Sequence, residues 1–198
     1  MSVTIQSGAI YTAEQLHNPI TELILSGFES KFTHQLFTKE ETFQIAMTLS
    51  LYLVSEKREN LLIAEKNKKI SGCLYSITRD DNYPLLSTYF KQAFPLKKRL
   101  KIWLLLGFLS HTPKSNEWHI DFIAVSPVFR GLGIGRKLVQ CCKDSSFKND
   151  LTLHVASKNI NAYDLYLSED FYVSTNLSSV IGWKITGIRD WKLMRYKR

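Results

Sequence analysis

The segment from Val125 to Gly135 constrains the fold of this chain more than any other. Its sequence, VSPVFRGLGIG, joins a predicted strand over 118–125 to a helix in which Ile134, Leu138 and Cys142 share one face. Glycines at such a junction let a ligand approach the backbone closely, and the exposed amides of a helix N-terminus attract anions. The segment therefore predicts an anion-binding turn between a strand and a helix.

The basic residues around this turn and the spacing of its glycines indicate which anion it could bind. Arg130, Arg136 and Lys137 surround it, so we expect a pyrophosphate to bind there. A dinucleotide-binding turn would need glycine in place of Arg136, and a Walker turn would need Gly-Lys followed by Ser or Thr. Neither pattern is present. The alternative is that the glycines only form a tight turn.

The rest of the chain alternates strands and helices. Helices are predicted to start at Thr12, where Gln15 completes a capping box, at Asn18-Pro19, and at Thr38, where Glu41 completes a second box. Strands are predicted over 3–10, 61–65, 70–78, 118–125 and 151–155 and near Phe171 and Trp191, with helices after Gly135 and near 161–168. This order predicts one mixed α/β domain over residues 1–198.

One connection is unusually long and apolar. Over residues 85–111 the apolar side chains recur at helical spacing on both sides of Pro95, which predicts two helical pieces inserted between two strands. A connection of this length in a compact domain is commonly functional. We therefore expect the insertion to wall a binding cleft, with an oligomer interface, such as that of a homodimer, as the alternative.

The composition excludes some classes of protein and leaves others open. The formal net charge of +8 favours anionic partners such as nucleic acid, a membrane surface or a phosphorylated cofactor. The apolar run over 102–109 is far shorter than the roughly 20 residues that span a bilayer. With three cysteines and no signal-peptide pattern at the N-terminus, we expect a reduced, cytoplasmic setting.

The glycine-rich turn resembles the cofactor signature of the GNAT acetyltransferase superfamily, Q/R-x-x-G-x-G/A. Arg130, Gly133 and Gly135 match that signature at a strand-to-helix turn. The resemblance implies the GNAT fold, of the α/β (α+β) class, with a mixed central sheet of about six to seven strands flanked by helices. Residues 85–111 would then be a helical insertion between strands 3 and 4.

A second motif of the same family, N-x-x-A-x-x-L-Y-x-x-x-G-F, lies downstream in the correct order. Its matches are Asn159, Ala162, Leu165, Tyr166 and Phe171. Asp170 stands where the family usually has glycine. Because Asp tolerates the left-handed conformation better than most residues, we expect the turn to be preserved.

The resemblance implies acetyl-CoA as the cosubstrate. Amides over 130–135 would hold its pyrophosphate, and the backbone of Ile123 and Val125 would pair with its pantetheine arm. The implied cofactor contacts are Ile123, Ala124, Val125, Arg130, Gly131, Leu132, Gly133, Ile134, Gly135, Arg136, Lys137, Asn159 and Tyr166.

The resemblance also implies direct transfer of the acetyl group to a primary amine. Tyr166 would protonate the departing thiolate, while His119 or Asp121 would accept a proton from the amine, with Glu29 as a weaker candidate. His119, Asp121 and Ile123 alternate along the strand and are expected on one face. No metal is expected, since the remaining histidines show no ligand spacing.

Other functions stay open from the sequence. The same fold could serve as a non-catalytic acyl-CoA-binding or nucleic-acid-binding module, an alternative that the positive charge motivates, although we do not expect nucleic acid as a partner. The presence of both Asn159 and Tyr166 favours catalysis. The basic and apolar stretch over 96–110 could instead lie on a membrane surface.

Overall fold

The computed structural model describes residues 2–33, 36–81, 84–146 and 150–196, apart from the side chains of residues 28–33 and 84. Within these residues the strands are β1 (Thr4–Ser7), β2 (Leu61–Lys66), β3 (Lys69–Ile77), β4 (Glu117–Val125), β5 (Asp150–Ala156), β6 (Phe171–Ser178) and β7 (Asp190–Tyr196). The helices are α1 (Ala13–Thr33), α2 (Lys39–Glu56), α3 (Pro84–Ala93), α4 (Leu96–Leu109), α5 (Ile134–Ser145), α6 (Ile160–Leu167) and α7 (Val180–Thr186).

The seven described strands form one mixed sheet in the order β1-β2-β3-β4-β5-β7-β6. The β4–β5 pair is parallel, and the other described pairs are antiparallel. Helices α3 and α4 connect β3 to β4. The predicted mixed sheet and the helical insertion between strands 3 and 4 are therefore confirmed.

Helix α1 differs from its prediction. We expected two helix starts, but α1 is continuous and includes Pro19. A proline inside a helix removes one hydrogen bond and costs about 3 kcal/mol. Burial of Leu16 and Ile20 on either side of Pro19 offsets that cost, because both side chains are fully buried in the core. The predicted capping box of Thr12 and Gln15 is confirmed by two reciprocal hydrogen bonds.

Each face of the sheet buries its own apolar cluster. Side chains of α1 to α4 pack on one face, where Ile20, Ile45 and Ile102 are fully buried or nearly so. Helix α5 packs on the other face through Leu138 and Val139. No described helix is both long and apolar enough to cross a membrane.

A β-bulge interrupts β4 in the middle of the sheet. Across the ladder to β3, Phe122 pairs with Tyr75 and Ile120 pairs with Ser76, so Asp121 is an extra residue in β4. A bulge bends the strand that carries it and increases its twist. Strand β4 therefore changes direction at Asp121.

The bulge overturns one expectation about which residues share a face. We expected His119, Asp121 and Ile123 to lie on one face of β4, as strict alternation requires. Instead Ile123 packs with Ile120 in the cluster around α5, because the extra residue shifts the alternation by one position. A pattern of period two cannot reveal an insertion of one residue.

Candidate active site

Strands β4 and β5 separate partway along their length. Their parallel pairing covers 117–120 with 150–153 and ends at Ile120 and Leu153. Beyond that point a cavity of about 740 Å³ opens, lined on its strand side by residues 119–123 and 153–156. Backbone groups at the rim of such a gap can pair with an extended ligand as a strand would.

The glycine-rich turn leads from the end of β4 into α5. Gly131 and Gly133 both have φ near +75°, the left-handed region that favours glycine, and Gly133 is the N-cap of α5. A Cβ added at either glycine would meet no protein atom within 4 Å. The turn therefore presents open space and helix N-terminal amides on one side, as an anion site requires.

Two basic residues of the turn, Arg130 and Arg136, contact other parts of the protein. Arg130 donates from Nε to the carbonyl of Val125 at 3.2 Å and from Nη2 to the carbonyl of Ser26 at 3.3 Å. Arg136 forms an ion pair with Glu169 at 3.1 Å. Lys137 is exposed in the first turn of α5. The fold thus uses Arg130 as a brace between α1 and the end of β4.

The second motif forms the start and the body of α6. Asn159 is its N-cap, since its Oδ1 accepts a hydrogen bond from the Ala162 amide at 3.3 Å. Asn159, Ala162 and Tyr166 all line the cavity. Asp170, at the predicted left-handed position, has φ of 65°, so the expected turn is confirmed.

Tyr166 places its phenol in this cavity with 4% of its surface exposed. Its ring packs against Phe171 at a centroid distance of 5.9 Å. Burial raises the pKa of Tyr166 above its usual value near 10. The phenol therefore stays protonated at neutral pH, which a proton donor requires.

His119 belongs to a buried network of hydrogen bonds with Thr152 and Glu117. The Thr152 hydroxyl donates a hydrogen bond to Glu117 Oε1, and His119 Nδ1 lies 2.7 Å from Thr152 Oγ1. Because Thr152 has one hydroxyl proton, its oxygen must accept from His119 Nδ1–H. Burial first, then His111 and His154, lower the pKa of His119 to about 2. His119 is therefore a neutral imidazole whose Nε2 carries the lone pair.

The same carboxylate holds a second histidine. Glu117 Oε1 lies 2.8 Å from His111 Nε2. Burial opposes ionisation of Glu117, but hydrogen bonds from Thr152, Lys114 N–H and His111 bring its pKa below the usual value. An ionised Glu117 accepts from His111 Nε2–H. Glu117 thus orients both histidines through hydrogen bonds.

His111, His119 and His154 form a cluster whose ring nitrogens lie within 4.8 Å of one another. Zinc bonds of about 2.0–2.1 Å in a tetrahedral site bring ligand nitrogens to about 3.3 Å from each other. The rings would therefore have to move closer before they could hold such an ion. The expectation of no metal stays a prediction.

The sequence did not reveal Glu117, Thr152, His111 or His154 as parts of the site. One signal was available, because Glu117 and His119 are two residues apart and so share a face before the bulge. The pairing of His119 with Thr152 needs the register of β4 with β5, which only the structure supplies. Asp121 lines the cavity, while the side chain of Glu29 lies outside the described part of the chain.

The opposite wall of the cavity comes from the helices. Residues of α1, α2 and the inserted α3 and α4 line it, among them Tyr52, Leu86, Trp103 and Leu106. The insertion thus lies along the cavity, as expected. One cavity thus joins an open gap between parallel strands to the helical wall, and helix N-terminal amides lie at the turn that follows β4, an arrangement suited to an extended phosphorylated ligand.

Comparison with known proteins identifies the family. The profile of the acetyltransferase (GNAT) family matches residues 18–171, and the chain belongs to that family. A sequence comparison with curated proteins finds no match.

Solved structures share the fold at low sequence identity. A crystal structure of an acetyltransferase has a TM-score of 0.67 and 22% identity, covering 98% of both chains. An N-acetyltransferase from Staphylococcus aureus Mu50 has a TM-score of 0.68 and 17% identity, over 97% of this chain and 99% of that one. The structure of yncA from Salmonella typhimurium with its cofactor acetyl-CoA has a TM-score of 0.61 and 15% identity, over 100% and 94% of the two chains.

Proposed function

We propose that this protein transfers the acetyl group of acetyl-CoA directly to a primary amine. The gap between β4 and β5 carries this proposal, because one continuous cavity joins the edge of β4 to Asn159 and Tyr166 on one side and to the helical wall on the other. The pantetheine arm would enter the gap from the glycine-rich turn. The amine would approach from the helical side, so both substrates meet beside the bulge.

The cofactor would be held mainly by backbone groups. Amides from Gly131 to Gly135 would bind the pyrophosphate, with Lys137 adding a positive charge at the helix N-terminus. The Ile123 amide would polarise the acetyl carbonyl. A donor aimed at developing oxyanion charge lowers the barrier by roughly 3 kcal/mol.

The reaction forms one bond and breaks one. The amine nitrogen attacks the carbonyl carbon, and the carbon–sulfur bond then breaks to release the CoA thiolate. Tyr166 donates its proton to that thiolate, since burial keeps the phenol protonated until the thiolate forms beside it. The tyrosinate regains a proton from solvent.

The proton of the attacking amine needs another route. His119 has a pKa of about 2, which is too low for it to remove a proton from an ammonium group at neutral pH. The Asp121 carboxylate lines the cavity at the bulge, so we assign to it the orientation of the ammonium group, whose proton then passes through water to solvent. His119 would position the substrates through the lone pair on Nε2.

An acceptor screen tests the proposal. Acetyl-CoA is mixed with hexylamine, 1,6-diaminohexane, 2-phenylethylamine, tyramine, spermidine, an aminoglycoside and a lysine-containing peptide, and free thiol and acetylated product are measured. At least one amine should release thiol with matching acetylated product. Thiol release that does not depend on an amine, or none with any of them, contradicts the proposal.

A further inference from the structure

The helical wall of the cavity is apolar. It is built from α1 and α2 and from the inserted helices α3 and α4, and its apolar members include Ile24, Leu49, Leu53, Leu86, Trp103 and Leu106. Leu53 and Leu86 belong to the buried core, with 5% and 6% of their surfaces exposed. A ligand body placed against this wall gains by burying apolar surface and has few polar side chains to contact.

The cavity has little capacity to neutralise positive charge. Among the described residues that line it, Asp121 is the sole carboxylate and Lys158 the sole Lys or Arg. Three histidines line the cavity. His119 and His154 are neutral, because burial first lowers their pKa values to about 2 and about 4, and His111 is hydrogen-bonded to the Glu117 carboxylate. A ligand with one ammonium group can be matched by Asp121, whereas a second cation would be buried without a partner.

The helical wall includes the tyrosine Tyr52, whose hydroxyl is buried. Tyr52 lies on α2 with 2% of its surface exposed, and its hydroxyl has no hydrogen-bond partner among the described residues. Burial first, then Asp81, Glu56 and Tyr89, raise its pKa to about 12, so the hydroxyl is uncharged at neutral pH. Buried hydroxyls are normally hydrogen-bonded, and a ligand group could satisfy this one.

We propose that the acceptor is a small amine with a single cationic group on an apolar body, and that the Tyr52 hydroxyl hydrogen-bonds a polar group at its far end. The inference rests on the proposed acetyl transfer to an amine. Asp121 matches the single cationic group, while the apolar body is buried against the helical wall. Polyamines, aminoglycosides and lysine-rich peptides are poor acceptors on this basis.

A matched pair of amines tests the charge requirement. Hexylamine and 1,6-diaminohexane have the same carbon chain and differ by the second amino group. We expect kcat/KM to be at least about 100-fold higher for hexylamine, because the diamine must bury an unpaired cation. Equal or faster acetylation of the diamine, spermidine or the peptide overturns this inference and leaves the proposed function intact. A failure of every amine contradicts the proposed function itself.

A substitution in the helical wall tests the same charge requirement. Leu106→Glu adds a carboxylate to the lining of the cavity, with Leu106→Gln as the neutral match. Relative to Gln, Glu should lower the preference for hexylamine over the diamine by at least about tenfold. An identical preference in the two variants, both with a cooperative melting transition, counts against the inference. The exposed Leu100→Ala, on the same helix and away from the cavity, is the control.

The role of Tyr52 is tested with 2-phenylethylamine and tyramine, which differ by one phenolic hydroxyl. The wild-type protein should prefer tyramine by about fivefold to tenfold in kcat/KM, the effect of one hydrogen bond. Tyr52→Phe should bring that ratio to about one. The Tyr52 assignment is wrong if the wild-type ratio is already one or if Tyr52→Phe leaves the ratio unchanged.

Discussion

Tyr166 combines a position in the cavity with almost complete burial, so its replacement by phenylalanine removes a proton donor and little packing. We expect Tyr166→Phe to lower kcat by about 100-fold or more, the usual contribution of a general acid. Acetyl-CoA should raise the melting temperature of the variant as much as that of the wild type, because binding does not need the proton. Full activity of the variant would assign protonation of the thiolate to water or to another residue.

Thr152 is a second buried residue at which loss of one hydroxyl should have a measurable effect. Thr152→Val keeps the shape of the side chain and removes the hydroxyl between Glu117 and His119, whereas Thr152→Ser retains it. The loss leaves a buried carboxylate short of a donor, so unfolding free energy at pH 7 should fall by about 1–3 kcal/mol in Val and much less in Ser. Denaturant titration measures both.

The pH dependence of that effect has a definite sign. The pKa of Glu117 is lower in the folded protein than its usual value, so its hydrogen bonds stabilise the fold above the unfolded pKa of about 4.3. This stabilisation is lost as the pH falls through the folded pKa. The difference in unfolding free energy between the wild type and Thr152→Val should therefore decrease below about pH 4. A difference that does not change with pH would mean that the stability is lost through packing.

The sequence predicted which residues lie at the site better than it predicted the environment of their side chains. It pointed to His119 as a base, a role that needs an imidazole with a pKa near the ordinary value of 6.5, and His119 does line the cavity. Burial first, then His111 and His154, lower this pKa to about 2, and these two rings pack on His119 from the loop before β4 and from β5. Environment of this kind depends on strand register and cannot be read from local spacing.

Among the secondary-structure elements, the turn into α5 gives the sharpest prediction. Gly133 has a left-handed φ and open space where a Cβ would lie, so Gly133→Val combines backbone strain with obstruction of the bound pyrophosphate. Acetyl-CoA at 100 times its dissociation constant should stabilise the wild type by about 2.7 kcal/mol. The variant should show almost no shift in melting temperature.

Gly187→Val is the control for that experiment, because Gly187 also has a left-handed φ, of 74°, but is the C-cap of α7 and does not line the cavity. It should keep the full shift with acetyl-CoA. If Gly133→Val also keeps it, the pyrophosphate binds elsewhere.

The inserted helices show why an element can be predicted while its role in the fold is not. Helical spacing on both sides of Pro95 predicted α3 and α4, and the structure has them. The spacing did not show that Phe90, Ile102 and Leu105 would be fully buried. Removing 85–111 would therefore expose core residues. The short α7 was not predicted at all, although Ser179 and Gly187 mark its two ends.

For the whole molecule, order of elements and family motifs together predicted the mixed sheet and the position of the insertion. They did not predict the placement of β7 between β5 and β6, since strand order depends on long-range pairing. The bulge at Asp121 and the opening of β4 from β5 also escaped prediction.

The brace formed by Arg130 has a consequence for the timing of substrate binding. Its guanidinium bonds the Val125 and Ser26 carbonyls, and Ser26 lies beside Gly27, which lines the helical wall of the cavity. Ordering of the turn by acetyl-CoA should therefore restrain this part of α1 before an amine arrives. Hydrogen–deuterium exchange should slow at amides 24–27 on addition of the cofactor, and Arg130→Ala should uncouple that protection from cofactor binding. With these Arg130 contacts intact, the protein should bind its two substrates in a preferred order, in which the cofactor binds first and tightens binding of the amine.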